Sequence, residues 1–493
     1  MWKINISSGK RFISTLIATV AFLLFTFNFS AAATEAKHYT ELDFKPLPEI
    51  NLPKYERYTL DNGMIIYLME NHELPLVNGS AIVRTGDRWE PTKEVGLAQI
   101  TGTVMRSGGT QTHPADELNE MLEQRAASVE TSIGKTSGGA SFNSLTEDLD
   151  TVFDLFAEVL RQPAFPEDKL KLAKTQKRGA IARRNDDPNS IASREFRKLV
   201  YGNNSPYGRT VEYSTLENIT REDLIGFYQK YFHPNNIILG IEGDFDSEKI
   251  KSLIQKNLGS WKANPKLDRF KLPSVSQAKE SGIFFVNQSQ LTQSNILMGH
   301  LGGDFKSPDY PALDVMNGVL NGFGGRLFNE VRSRQGLAYS VYGYWSPRYD
   351  YPGMFIAGGQ TRSNATVQFI KSLQEEIKRI QTETVTEKEL NFAKESTLNS
   401  FVFNFRDPAQ TLSRLMRYEY YGYPKDFLFD YQKAVKATTS ADVQRVAKQY
   451  LKSDKLVTLV VGSQNAINPP LSQLSAQVTS IDITIPTPPQ SPS

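Results

Sequence analysis

The spacing of apolar positions divides most of this chain into two stretches built on one plan. In the first, residues 64–69 and 80–84 are short runs of β-branched and apolar side chains and predict strands. Residues 95–106 predict a helix that stops at Ser107-Gly108-Gly109. Residues 114–128 and 149–160 repeat apolar side chains three and four apart, the mark of amphipathic helices. A further helix is predicted over 169–184, closed by the breaker Asp186-Asp187-Pro188. The second stretch repeats these segments, with strands at 283–286 and 295–298 and helices at 310–320 and 366–382. Strands grouped with packed helices in each half predict the α+β class.

The two stretches also align residue by residue, at a shift of about 220 positions. Thr220, Asp223, Tyr231 and Gly243 fall on Thr439, Asp442, Tyr450 and Gly462 with the same internal spacing. Glu167, Leu170, Ala173 and Lys174 fall on Glu387, Leu390, Ala393 and Lys394. One such match carries little; two that share a shift indicate duplication of a whole domain, far longer than a solenoid unit. The predicted layout is a leader at 1–33, an N-terminal domain at 44–262, a linker at 263–280 and a C-terminal domain at 281–465. The remaining 466–493 is rich in proline, serine and threonine and predicts no packed core.

Composition narrows the chemistry. The 493 residues carry 56 Lys plus Arg against 54 Asp plus Glu, a net +2, so no basic surplus points to nucleic acid. Cysteine is absent, which removes thiolate metal sites, disulfides and cysteine nucleophiles. Five histidines remain: His38, His72, His113, His233 and His300. Lys3, Lys10 and Arg11 precede an apolar run that ends in Ser30-Ala-Ala-Ala33, the shape of a secretory signal peptide cut after Ala33. Retained, the same run is long enough for a membrane anchor; either way the bulk of the chain is expected outside the cytoplasm, in a periplasm or equivalent space.

Three stretches together resemble the pitrilysin/insulinase family of zinc peptidases, whose two-chain branch includes bacterial and mitochondrial processing types. They are Gly96-Leu-Ala-Gln-Ile-Thr-Gly-Thr-Val-Met105-Arg-Ser-Gly-Gly-Thr110, Ala180-Ile-Ala-Arg-Arg-Asn-Asp-Asp-Pro188, and Gly324-Gly-Arg-Leu-Phe-Asn-Glu-Val-Arg332-Ser-Arg-Gln-Gly-Leu-Ala-Tyr339-Ser-Val. The resemblance spans about residues 44–465 and implies two homologous α+β domains in tandem, a clam-shell-like half of a larger chamber. It also implies where a metal belongs: the family's H-x-x-E-H falls on Gln99, Gly102 and Thr103, and its third ligand on Ala180. Catalytic zinc needs three nitrogen or oxygen ligands and an open position for water. An amide, a threonine and an alanine do not supply them, and Gly102 offers no carboxylate to activate water. No metal or cofactor is therefore expected in this chain, and no hydrolysis by it alone.

What the resemblance retains is the Arg332/Tyr339 pair, which in the family reaches the scissile carbonyl beside the zinc. Guanidinium and phenol hydroxyl both donate hydrogen bonds to oxygen as negative charge develops. The implied function is a non-catalytic subunit of a heterodimeric zinc peptidase, with zinc and general base on a homologous partner and peptides as substrates. The alternative is a peptide-binding or scaffold protein of the same fold without peptidase activity.

Other signals receive structural readings. Asp116, after His113-Pro114, reads as a first-turn acid at a helix start. His233 precedes Pro234 at a strand entry, and His300 lies near Gly302-Gly303. Gly322-Phe-Gly-Gly325 lacks the spacing of a dinucleotide loop. No G-x-S-x-G is present. The seven positive charges of 169–184 read as a solvated helix face. Tyr342, Tyr344, Trp345 and Tyr349 read as strand packing or as the lining of a peptide groove.

Overall fold

The structure is a computed structural model in which residues 52–267, 271–405 and 407–488 are described. The predicted leader at 1–33, and with it His38, lies outside the described residues. Among them the strands form two sheets of six that share one topology over five strands and differ in the sixth, an N-terminal antiparallel strand in one and a C-terminal parallel strand in the other. The first takes β1 (Glu56–Thr59), β2 (Ile65–Glu70), β3 (Leu76–Val83), β4 (Ser128–Ile133), β5 (Gly138–Leu145) and β6 (Ile237–Gly243), in the order β1-β2-β6-β3-β5-β4. The second takes β7 (Gly282–Asn287), β8 (Gln293–Leu301), β9 (Ala338–Ser346), β10 (Met354–Arg362), β11 (Val457–Gly462) and β12 (Val478–Ser480), ordered β12-β7-β11-β8-β10-β9. In each, the last long strand of the domain runs parallel to its first: β6 beside β2, β11 beside β7. The two edges at the far end are β4 and β9.

Helices of the first half are α1 (Leu97–Ser107), α2 (Ala115–Glu123), α3 (Leu149–Arg161), α4 (Glu167–Ala182), α5 (Pro188–Tyr201), α6 (Tyr213–Glu217), α7 (Arg221–Tyr231) and α8 (Ser247–Leu258). The second half has α9 (Tyr310–Leu320), α10 (Thr366–Thr382), α11 (Glu387–Phe401), α12 (Pro408–Tyr421), α13 (Phe427–Ala437) and α14 (Ser440–Tyr450). The aligned residues prove to be shared local devices. Thr220 and Thr439 each build a capping box with the Asp three residues on, opening α7 and α14. Asp187 and Asp407 each cap a helix whose first residue is proline.

Those last two helices cross over. Ile191, Phe196 and Val200 of α5 pack on Phe284, Val286 and Leu297 of the second sheet. Leu412, Met416 and Tyr420 of α12 pack on Tyr67, Met69 and Ile238 of the first. Each domain thus covers one face of its own sheet and lends a helix to the other, which is why every residue of β6 and of β11 is buried. The approach is close: a Cβ at Gly240 would lie 2.3 Å from the Met416 sulfur. A buried side chain of this kind contributes about 1.5–3 kcal/mol, so the exchange is a main source of cohesion.

Three local expectations change. The helix predicted over 114–128 ends at Glu123, and Ser128 opens β4. β5 went unpredicted because Gly-Gly-Ala-Ser has little strand propensity; its pairing with β3 and β4 supplies what propensity does not. The tail is packed over its described part: Ile467 and Leu471 are buried, β12 pairs with β7, and Ile481 N–H donates to the Phe285 carbonyl at 2.8 Å.

Candidate functional site

Helix α1 is pinned at its start by Glu90, whose carboxylate accepts from the backbone of Gly96 (3.0 Å) and Ala98 (2.9 Å). Burial pushes this carboxyl up to about 7, against the pull of those two N–H groups. Along the helix, the Gln99 carbonyl oxygen accepts from Lys177 Nζ of α4 at 2.7 Å, and Thr103 Oγ1 turns back to the Gln99 backbone carbonyl at 3.0 Å. Burial lowers the Lys177 pKa. Gly102 lies directly on β4: a Cβ there would be 2.5 Å from the Ile133 nitrogen, and Thr131 Oγ1 donates to the Gly102 carbonyl at 2.6 Å. Ala180 is exposed on α4 and carries no donor atom.

These residues do not fit zinc. At the first ligand position the Gln99 side-chain oxygen is taken by the Lys177 ammonium, the base position has no room for any side chain, and the second-ligand hydroxyl is turned to backbone. Among the described residues no group of three His, Asp or Glu is arranged to hold a metal.

The remaining histidines are structural. His113 Nδ1 lies 2.8 Å from Glu158, and His233 Nε2 lies 2.7 Å from the Gln229 carbonyl. His300 is buried, donates from Nδ1 to the Leu301 carbonyl and accepts the Lys452 N–H at Nε2, while burial lowers its pKa. His72 is exposed beside Asp244. Three of the seven positive charges in 169–184 have ion pairs among the described residues: Arg178 with Glu217, Arg183 with Asp186 and Arg184 with Glu212.

Arg332 and Tyr339 meet. Arg332 lies on a π-helical turn, Phe328–Arg334, a widened geometry that often marks a functional position. Val331 and Leu337 anchor the turn in the core. Tyr339 stands near the start of β9, 83% exposed. The Arg332 Cζ is 4.6 Å from the Tyr339 ring centroid and 4.7 Å from that of Phe328, a cation held between two rings. Neighbouring Arg326 and Arg334 pair with Glu389 and Glu330; Arg332 has no ion pair among the described residues. Among the described residues no acid or carbonyl bonds the Arg332 guanidinium or the Tyr339 hydroxyl.

The sheet edges add residues that the sequence reading did not single out. On β9, Asn317 of α9 accepts the Trp345 N–H (2.7 Å) and donates to its carbonyl (3.0 Å). Asn321 does the same for Gly343, at 2.9 and 2.6 Å. Two amides one helical turn apart thus stand in for a neighbouring strand; asparagines four apart on an apolar helix were the available signal. On β4 the corresponding bond is one, Arg106 Nε to the Val129 carbonyl at 2.7 Å. Of the aromatics, Trp345 is core, Tyr342 and Tyr344 stack on each other, and Tyr349 stacks on Tyr421.

Fold and site together define a duplicated zinc-peptidase scaffold whose metal positions carry no usable ligands. The family profile "Insulinase (Peptidase family M16)" matches residues 67–212, and "Peptidase M16 inactive domain" matches residues 218–397. The chain belongs to this insulinase family, peptidase family M16, as a non-catalytic, peptidase-like member. It is 26% identical over 414 residues to the uncharacterized zinc protease YmxG of Bacillus subtilis, covering 83% of this chain and 99% of that protein. It is 23% identical over 407 residues to the non-peptidase homolog YmxG of Helicobacter pylori, covering 80% and 91%. A solved peptidase M16 inactive domain from Pseudomonas fluorescens superposes with a TM-score of 0.75 at 24% identity, over 85% of this chain and 100% of that one. The periplasmic protease PqqL from Escherichia coli superposes at 0.70 with 16% identity, over 88% of this chain and 52% of that one.

Proposed function

We propose that this chain is the non-catalytic subunit of a two-chain zinc peptidase. It holds the peptide and lends the Arg332 guanidinium and the Tyr339 hydroxyl to the scissile carbonyl at the zinc of a homologous partner. The observation that carries this reading is an asymmetry. All four metal and base positions lack the family's chemistry, while a half-buried Arg332 and an exposed Tyr339 are paired and unclaimed by any carboxylate among the described residues. An arginine without a functional ligand is more simply satisfied by an acid, as Arg326 and Arg334 are. The basic, apolar and small-residue order of 1–33 supports export, so the pair is assigned to an extracytoplasmic compartment.

Native purification tests this. A companion of similar size bearing H-x-x-E-H, with zinc-dependent peptide hydrolysis by the complex, is the expected result. Arg332→Ala or Tyr339→Phe in the reconstituted pair should each lower kcat/KM by about 100-fold, the effect of removing one donor to a developing oxyanion. Unchanged activity in both variants would overturn the reading. A second reading, a peptide-binding protein with no peptidase partner, is favoured by the name of the Helicobacter pylori relative; a chain that purifies alone supports it.

A further inference from the structure

The duplication gives the vanished metal site a counterpart in the second half. Buried positions Leu97, Ala98, Ile100, Thr101, Val104 and Met105 of α1 recur with the same spacing as Ala312, Leu313, Val315, Met316, Val319 and Leu320 of α9. This register puts Asp314 at the place of Gln99, Asn317 at that of Gly102 and Gly318 at that of Thr103. The edge strands agree independently: Arg106 and Asn321, one turn further on, each donate to the carbonyl of the adjoining edge strand. On the partner helix, the match of Leu170 and Ala173 with Leu390 and Ala393 puts Thr397 at Lys177 and Ser400 at Ala180.

In the first half this space is closed by Lys177 and by β4. In the second it is open. Asp314, Asn317, Gly318, Thr397 and Ser400 all line one cavity of about 930 Å³. Its far wall is α12, from which Arg414 and Arg417 face the cavity among Tyr349 and Tyr418. Arg414 Nη2 donates to Asn404 Oδ1 at 2.8 Å, and the Arg417 Cζ is 5.9 Å from the Tyr349 ring centroid. Neither has an ion pair among the described residues. The one acid in the lining, Asp314, already accepts from the Tyr431 hydroxyl and from Asn317 Nδ2. Two guanidiniums, an aromatic wall and no free counter-charge are the chemistry of a carboxylate site.

We propose that this cavity binds a peptide through a carboxylate held by Arg414 and Arg417. The inference rests on the peptide-holding role above and adds the charge class of the peptide. The carboxylate belongs either to a C-terminus or to an acidic side chain, and the test separates them. Calorimetric titration of the purified full chain uses an acetylated neutral hexapeptide in three forms: free C-terminal carboxylate, C-terminal amide, and amide with one internal glutamate. At least one acidic form should bind about tenfold or more tightly than the neutral amide; which one does identifies the source. Arg414→Gln with Arg417→Gln should erase the difference, and so should Ser400→Glu, which places a competing carboxylate in the cavity from an exposed position. Equal affinity for all three peptides, or a preference that survives both sets of changes, overturns the proposal while leaving the peptide-holding role standing. Binding of none overturns both.

Discussion

The helix-on-edge-strand arrangement occurs twice in this molecule, and the two copies have gone opposite ways. At α1 and β4 a glycine lets the helix settle on the strand backbone, and a lysine closes the remaining space. At α9 and β9 an asparagine occupies the position of that glycine and bonds both polar groups of Trp345, and the space beyond stays open. The two copies of the scaffold differ at two positions here, Gly102 against Asn317 at the helix–strand contact and Lys177 against Thr397 on the neighbouring helix.

The largest effect should come from forcing the first copy to resemble an active site. Gly102→Glu drives a side chain into the backbone of β4 and should cost about 3 kcal/mol or more, read as a lowered urea midpoint. A variant of wild-type stability would mean that the helix and strand separate readily. Breaking the second copy comes next. Asn317→Leu strands the buried N–H and carbonyl of Trp345 and should cost about 2–3 kcal/mol, with Asn321→Leu costing less at its half-buried position. Light scattering on both variants should also show association through the bared edge of β9.

A smaller difference is pH-dependent. Because burial lifts the Glu90 carboxyl to about 7, the folded protein holds this proton more tightly than the unfolded chain. Its contribution is complete below the ordinary glutamate range and is lost as pH rises through about 7. Thermal unfolding between pH 4.5 and 8 should show a decline in stability that Glu90→Gln flattens. The second copy has no acid bonded to the start of α9, since Asp309 pairs instead with Arg445 and Tyr450. The smallest stability effect should be at Arg332→Ala, about 1 kcal/mol or less, because an exposed cation–π contact contributes little.

Much of this was legible in the residues. The capping boxes at Thr220 and Thr439 are local devices, and their matched spacing, shared with Glu167 to Lys174 and Glu387 to Lys394, announced the duplication. The metal positions were legible because ligand chemistry is a property of residue type: an alanine at 180 ligates nothing in any fold. What could not be read was whatever depends on which surface meets which. The apolar stripes of α5 and α12 say that they are buried, and nothing in a stripe says that it lies on the other domain's sheet. Lys177 looked like one charge on a solvated face because its partner, Gln99, is far away in sequence. Asn317 and Asn321 went unremarked because their partners, Trp345 and Gly343, are supplied by the edge of β9.

The exchanged helices bear on how the protein is made. A nascent chain that has just completed β6 at residue 243 has every strand of its first sheet but not the cover for one of its faces. That cover, α12, is translated nearly two hundred residues later and ends at Tyr421. Until then Tyr67, Met69 and Ile238 lack their cover. A product truncated between the halves keeps the bare face permanently, so such fragments are expected to be substrates for chaperones and proteases rather than free-standing domains.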